Sequence, residues 1–253
     1  MKKTKSFSTT PRVATEIVHS IADAGEQTKE EIERAGLITG DGTPGRIWDF
    51  INTNLYNRLG TVDCMVHTKK RGCWEMVLTY DPDTDYIYTV MREKRYSELY
   101  AERSKRKNMH YLDILARHVN SDLISPQGQL SFYPVEFQDE SKLKEKFADL
   151  VQSFMNQESV IKRYVLILFD ESQFELHSVR AVTVDSNLDV VDEADWSEFI
   201  PVTESVVAST ISDPHDPSNH PNHNLKLKSI AISKKKVVAL QPDNAKNTNT
   251  NNE

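Results

Sequence analysis

The chain has 253 residues, with 31 lysines and arginines against 38 aspartates and glutamates, for a formal net charge of −7. That length can bury a full core, and the acidic balance excludes a general polyanion binder while leaving room for a local basic patch. Two cysteines, Cys64 and Cys73, cannot make a structural zinc site alone and read as reduced core thiols.

Residues 1–11 read as a flexible polar lead that begins with lysines but lacks the apolar stretch of a signal peptide. No run approaches the roughly 18 apolar residues of a membrane helix, so the expectation is a cytoplasmic protein with no membrane partner. Residues 12–60 read as a helical segment. Val13, Ile17, Ile21 and Ala24 follow helical spacing, and Thr28 with Glu31 fits the capping box of a short second helix that Gly36 stops. Thr43-Pro44 then opens a third helix, Gly45 to Leu59, burying Ile47, Trp48, Ile51 and Leu55. Three helices before a hairpin is the order of a winged helix, and on that reading Arg46, Asp49, Asn52, Asn54 and Arg58 would face a groove. The simpler alternative is a helical cap packed on a sheet.

Residues 61–202 read as an α+β core organised around one hairpin, Gly72 to Tyr96. Two apolar runs flank the breaker cluster Asp81-Pro82-Asp83-Thr84-Asp85. Pairing Tyr80 with Tyr86, Leu78 with Tyr88, Met76 with Val90 and Trp74 with Arg92 gives a continuous apolar ladder on one face. The other face, through Cys73, Val77, Ile87 and Met91, is also largely apolar, which predicts an interior position with helices on both sides. A strand Thr61–His67 precedes the hairpin, separated from it by a basic turn at residues 69–71. Helices are expected over Tyr96–Lys107, His110–Val119 and Ser141–Met155. Strands are expected over Leu130–Phe137 (an edge, given Pro134), over Lys162–Asp170 at the centre, and over Ser172–Val184 and Leu188–Val191. Residues 203–242 read as a linker with a peripheral period-two strand, Leu225–Ser233, and 243–253 as a disordered tail. The fold class is therefore α+β: an N-terminal helical segment packed on a mainly antiparallel β-sheet with flanking helices.

Charge is uneven. Residues 61–110 hold ten basic against eight acidic side chains, whereas residues 111–253 hold thirteen against twenty-two. In the proposed hairpin register, Lys69, Lys70 and Arg71 enter beside Arg92, Lys94 and Arg95, near Trp74 and Tyr96. Clustered cations with aromatics suit phosphates or stacked bases, and the competing reading is a set of solvated strand ends paired with Glu75, Glu93 and Glu98. These seven residues, Lys69, Lys70, Arg71, Trp74, Arg92, Lys94 and Arg95, are the candidate nucleic-acid-binding set.

A metal-dependent nuclease is the rival, because Glu75 and Glu93 lie on neighbouring predicted strands. It lacks the Glu-x-Lys that such a site requires, since the triplet at Glu93 is Glu-Lys-Arg. Asp81, Asp83 and Asp85 imitate a calcium loop but fail at Tyr86 and Arg92. His215, His220 and His223 sit in a Pro/Asn-rich stretch with nothing to order a metal, and His110 with Asp113 reads first as a helix N-terminal pair. No cofactor fingerprint occurs, and neither a catalytic residue nor a metal ligand is assigned. A third reading is a protein-interaction module in which Leu225–Ser233 pairs with a partner's sheet edge.

The stretches GRIWDFINTNL (Gly45–Leu55), KRGCWEMVLTYD (Lys70–Asp81) and MREKRY (Met91–Tyr96) resemble an uncharacterised bacterial family of Gram-positive genomes and prophage-like regions. The resemblance covers residues 13–200 and carries no catalytic residue. It implies an accessory-genome role of a phage-defence or regulatory type. Taken together, the expected function is that of a binding protein whose basic hairpin end engages nucleic acid or an acidic protein partner.

Overall fold

The computed structural model describes residues 7–36, 38–71, 74–106, 108–125, 140–152 and 160–202, without the side chains of Arg71 and Trp74. The expected strand at Leu130–Phe137, the Leu225–Ser233 strand and the three-histidine stretch lie outside the described residues. The N-terminal segment holds one long helix, α1 (Pro11–Ala35), where two were expected. Thr28 does not cap a second helix. It is buried, and its hydroxyl donates to the Ala24 carbonyl 2.6 Å away, so the helix continues through it. Gly36 closes α1 in the left-handed region at φ 58°, its N–H reaching the carbonyls of Ile32 and Glu33. Among the described residues two helices, not three, therefore precede the sheet: α1 and α2 (Thr43–Gly60).

Among the described residues the sheet has six strands in chain order: β1 (Met65–Arg71), β2 (Trp74–Asp81), β3 (Tyr86–Arg92), β4 (Arg163–Ser172), β5 (Glu175–Val184) and β6 (Val190–Asp195). All neighbours are antiparallel except β3 and β4, which are parallel. A parallel pair needs a crossover. Here it contains α3 (Glu93–Ala101), α4 (Tyr111–Val119) and α5 (Glu140–Val151). The expected α+β class, with N-terminal helices and a mainly antiparallel sheet, is what the structure shows.

Both faces of the sheet are covered. Val77, Tyr88, Val165, Ile167 and Phe169 pack with Val13, Ile17, Ile21, Ile51 and Leu55 of α1 and α2. Leu78, Ile87, Met91, Tyr164 and Leu168 pack on the opposite side with Leu99, Leu112, Leu115, Phe147 and Leu150 of α3, α4 and α5. Strand β4 lies at the centre, with Tyr164 through Phe169 at most 1% exposed. A strand buried on both faces reads as a continuous apolar run, which is why this one was legible.

The hairpin register differs from the expectation by one residue. Thr79 pairs with Tyr88, Tyr80 with Ile87 and Asp81 with Tyr86. The turn sets this: Asp81 accepts from the Asp83 N–H (3.0 Å) and the Thr84 hydroxyl (2.8 Å), and Asp85 adopts φ 60°. The pairing then stops. Residues 74–78 of β2 pair only with β1, and residues 89–92 of β3 pair only with β4. The predicted ladder through Met76–Val90 and Trp74–Arg92 does not form, because the two strands splay apart beyond the turn.

Strand β1 also runs further than expected, through residues 69–71, which were read as a turn. In a strand, successive side chains point to opposite faces, and this has consequences for the site.

Candidate functional site

Where β2 and β3 part, two adjoining cavities open. The larger, about 640 Å³, lies between α2 and the first two strands, and its lining includes Asp49, Thr53 and Tyr56 of α2 with Thr68 and Lys70 of β1. The smaller, about 370 Å³, is lined by Leu55, by Val90 and Met91 of β3, by Arg95 of α3, and by His110 and Tyr111 at the start of α4. Both share Trp48, Asn52, Glu75, Met76 and Val77. They form one cleft, with Lys70 toward one end and Arg95 toward the other. Its volume falls in the range of small-molecule sites.

Local structure fixes each wall. In α2, Trp48, Asn52 and Tyr56 recur at intervals of four, so they stack along one side of the helix. Trp48 is anchored edge-on to Phe169 of β4, with ring centroids 5.9 Å apart, and the Arg92 guanidinium lies 5.7 Å from its ring centroid. Tyr56 is 56% exposed, an unusual position for a large aromatic ring. His110 caps α4: its Nδ1 accepts from the Leu112 N–H (3.3 Å), while its own N–H donates to the Asp113 carboxylate (2.9 Å). That geometry places the neutral ring's proton on Nε2. The pair does the structural work that the sequence suggested.

The seven predicted cation-surface residues divide. Pairing of Lys70 with Glu75 and of Lys69 with Met76 puts the two lysines on opposite faces of the sheet. Lys70 is exposed and lines the larger cavity on the α2 side. Lys69 points to the other face, where its ammonium donates to the Asp149 carboxylate of α5 at 2.8 Å. Arg92 is held by Glu171 beneath Trp48, with its Nε buried and without a hydrogen-bond partner among the described residues. Arg95 lines the smaller cavity and pairs with Glu98 at 2.9 Å, and Lys94 beside it is exposed. The side chains of Arg71 and Trp74 lie outside the described residues. Of the five expected cations whose side chains are described, Lys69, Arg92 and Arg95 are thus paired with carboxylates, and the cleft itself carries Asp49 and Glu75 against Lys70 and Arg95.

The helix face expected to meet a DNA groove does not form as one surface. Arg46, Asn54 and Arg58 turn onto α1: Arg46 pairs with Glu31 at 3.6 Å, Asn54 donates to Gln27 (2.9 Å) and the Ser20 carbonyl (3.2 Å), and Arg58 bridges Glu16 and Asp23. Asp49 and Asn52 alone of that group line the cleft. The carboxylate pair of the nuclease reading is also not assembled. Glu75 faces α2, whereas Glu93 opens α3 and is clamped by Arg180, which donates to it at 2.6 and 3.0 Å. Hydrogen bonding to Glu93 holds the Arg180 pKa above its ordinary value. Among the described residues no group of three His, Cys, Asp or Glu side chains could hold a metal.

The sequence reading missed Tyr56, Thr68, Met76, Val90 and Tyr111 as cleft residues. Only Tyr56 left a signal, as an aromatic ring on the side of α2 that its helical periodicity leaves exposed. No described helix is long and apolar enough to cross a membrane.

Neither the curated proteins nor the solved structures contain a match to the sequence. A model of a protein family matches residues 6–241, which include both cavity walls. The chain belongs to that family, the family of unknown function DUF5986.

Proposed function

We propose that this is a binding protein, not an enzyme, and that its ligand is single-stranded nucleic acid held in the cleft between α2 and the parted strands β2 and β3. The observation that carries this reading is the joining of Lys70, Trp48, Tyr56 and Arg95 around one continuous opening. Bases stack on exposed aromatic rings irrespective of sequence, and cations at the mouths hold flanking phosphates. Duplex DNA is disfavoured, because α2 spends Arg46, Asn54 and Arg58 on α1 and offers no continuous basic face. The accessory role, in phage defence or regulation, rests on the resemblance of Gly45–Leu55, Lys70–Asp81 and Met91–Tyr96 alone, and all three segments supply cleft residues.

Fluorescence anisotropy with single- and double-stranded oligonucleotides at two salt concentrations tests it. The expected result is preferential binding of the single strand, weakening with salt, and lost in the Lys70→Glu/Arg95→Glu protein. Absence of binding, indifference to salt, or full binding by the double variant would overturn it.

A further inference from the structure

The smaller cavity has an unusual position: it lies in the plane of the sheet. Its lining mixes residues from both cores, Leu55 and Val77 from the α1/α2 side with Met91 and Tyr111 from the α4 side. Such a lining is reached only through the gap where the β2–β3 ladder has ended. Paired strands lie about 4.8 Å apart, so a cavity of about 370 Å³ there requires strands that have opened.

A gap in a sheet has two kinds of wall. Its edges are the strands themselves, and along each one alternate residues turn backbone N–H and C=O groups into the opening. Residues 75–78 and 89–92 have no ladder partner across the gap. Its floor and roof are side chains from the covering helices, here Trp48 and Leu55 on one side and Tyr111 on the other. A flat ring lying in the sheet plane would therefore meet donors and acceptors at its rim and apolar or aromatic surface on both faces. The charged residues of the lining are Glu75 and Arg95, and Arg95 is already paired with Glu98. A bare anion would find no surplus cation, and an alkyl chain would leave the strand edges unsatisfied.

Resting on the single-strand reading above, we infer that this gap takes one unstacked nucleobase and reads its hydrogen-bonding edge with the backbone of β2 and β3, so that binding is base-selective. The larger cavity and the Lys94–Arg95 mouth then carry the flanking nucleotides. Backbone recognition of this kind gives specificity without a dedicated side-chain code, and leaving a base edge or strand edge unpaired penalises the wrong base.

The test uses the full chain and equal-length DNA homo-oligomers of the four bases, with an abasic phosphate chain as the reference. Affinities should spread by roughly tenfold or more with the abasic chain weakest. Val90→Phe, which fills the smaller cavity and leaves the larger one untouched, should bring all of them toward the abasic value while salt dependence persists. Independently of that variant, amide exchange in residues 75–78 and 89–92 of the wild-type protein should slow on binding the preferred oligomer. Binding that is equal for all four bases yet stronger than for the abasic chain, or exchange in both strand segments that is unchanged on binding, overturns the base-reading gap but leaves single-strand binding standing, whereas equal binding of the abasic chain removes the stacking that both readings need. Failure to bind any oligomer removes both.

Discussion

Asn120 and Tyr164 hold each other through a reciprocal pair of hydrogen bonds: the Asn120 amide donates to the Tyr164 carbonyl at 2.9 Å, and the Tyr164 N–H donates to the Asn120 side-chain oxygen at 3.0 Å. The same amide also donates to the Val184 carbonyl at 3.0 Å. The Asn120 side chain, which is fully buried at the end of α4, thus ties the start of β4 to the end of β5. Asn120→Leu keeps the branched shape but removes a partner from three buried backbone groups. A buried group left unsatisfied costs on the order of 1–3 kcal/mol, and with partial relaxation the total loss should be about 3 kcal/mol. Urea unfolding followed by far-UV circular dichroism measures it, and an unchanged midpoint would show that the tie carries no stability.

Gly25 sits inside α1, where alanine would ordinarily be the better helix former by about 1 kcal/mol. Here a Cβ would lie 2.1 Å from the Phe174 carbonyl oxygen, in the β4–β5 turn where Gln173 and Phe174 both adopt positive φ. The obstacle is backbone in a tight turn, so the helix itself must shift. Gly25→Ala should therefore reverse the usual sign and destabilise by roughly 1–3 kcal/mol. A thermal melt that is raised, not lowered, would contradict the close approach.

Burial pushes the Cys64 thiol up to about 12, with Asp81 and Asp83 adding to the effect. The thiolate is the reactive species, so Cys64 should resist alkylation at neutral pH in the folded protein and react at an ordinary rate once unfolded. In a Cys73→Ser background, mass spectrometry after iodoacetamide treatment with and without urea reads this directly. Rapid labelling of the native protein would refute it.

His118 on α4 stacks on Phe147 of α5 with ring centroids 3.8 Å apart. Burial, and secondarily Lys144, lowers its pKa below the ordinary value of 6.5. The unfolded chain therefore binds a proton at a higher pH than the folded one. Stability from this site is present above about pH 6.5 and is lost as pH falls through the folded-state pKa. His118→Gln should flatten the dependence of the unfolding midpoint on pH between neutrality and mild acid. Equal slopes for the two proteins would mean that the stacked ring does not control this step.

The structure shows why some of this was legible and some was not. Residues 164–169 announced themselves because burial on both faces forbids polar alternation. The hairpin turn was readable from its own chemistry, but its register was not: with both faces of β2 and β3 apolar, a one-residue slip moves no polar group into the core. The true register is set by the Asp81 side chain and by Asp85 at positive φ. Thr28 and Glu31 satisfied a capping pattern that the Thr28–Ala24 bond overrides. Lys69 and Lys70 looked like one patch because adjacency in sequence hides the alternation of a strand. Apart from the exposed Tyr56 ring, the cleft left no local signature, because it arises where strands diverge between two helices packed on opposite faces.

Arg92 and Glu171 offer the sharpest test of how the cleft's back wall is held. Glu171 is only 10% exposed and Arg92 30%, so their ion pair is partly shielded from water, and Arg92 also lies against Trp48. Removing one partner from such a pair leaves a poorly solvated charge, whereas replacing both with apolar groups of similar size often costs little. Allowing for the exposure of Arg92, Glu171→Ala should destabilise by about 1–2 kcal/mol. Arg92→Met/Glu171→Leu should recover most of that loss. The double variant keeps an apolar surface against Trp48 and leaves Lys70 and Arg95 in place, so it should retain ligand binding to within roughly threefold. If instead the double variant is as stable as the wild type but binds nothing, Arg92 touches the ligand itself and the back wall is part of the binding surface.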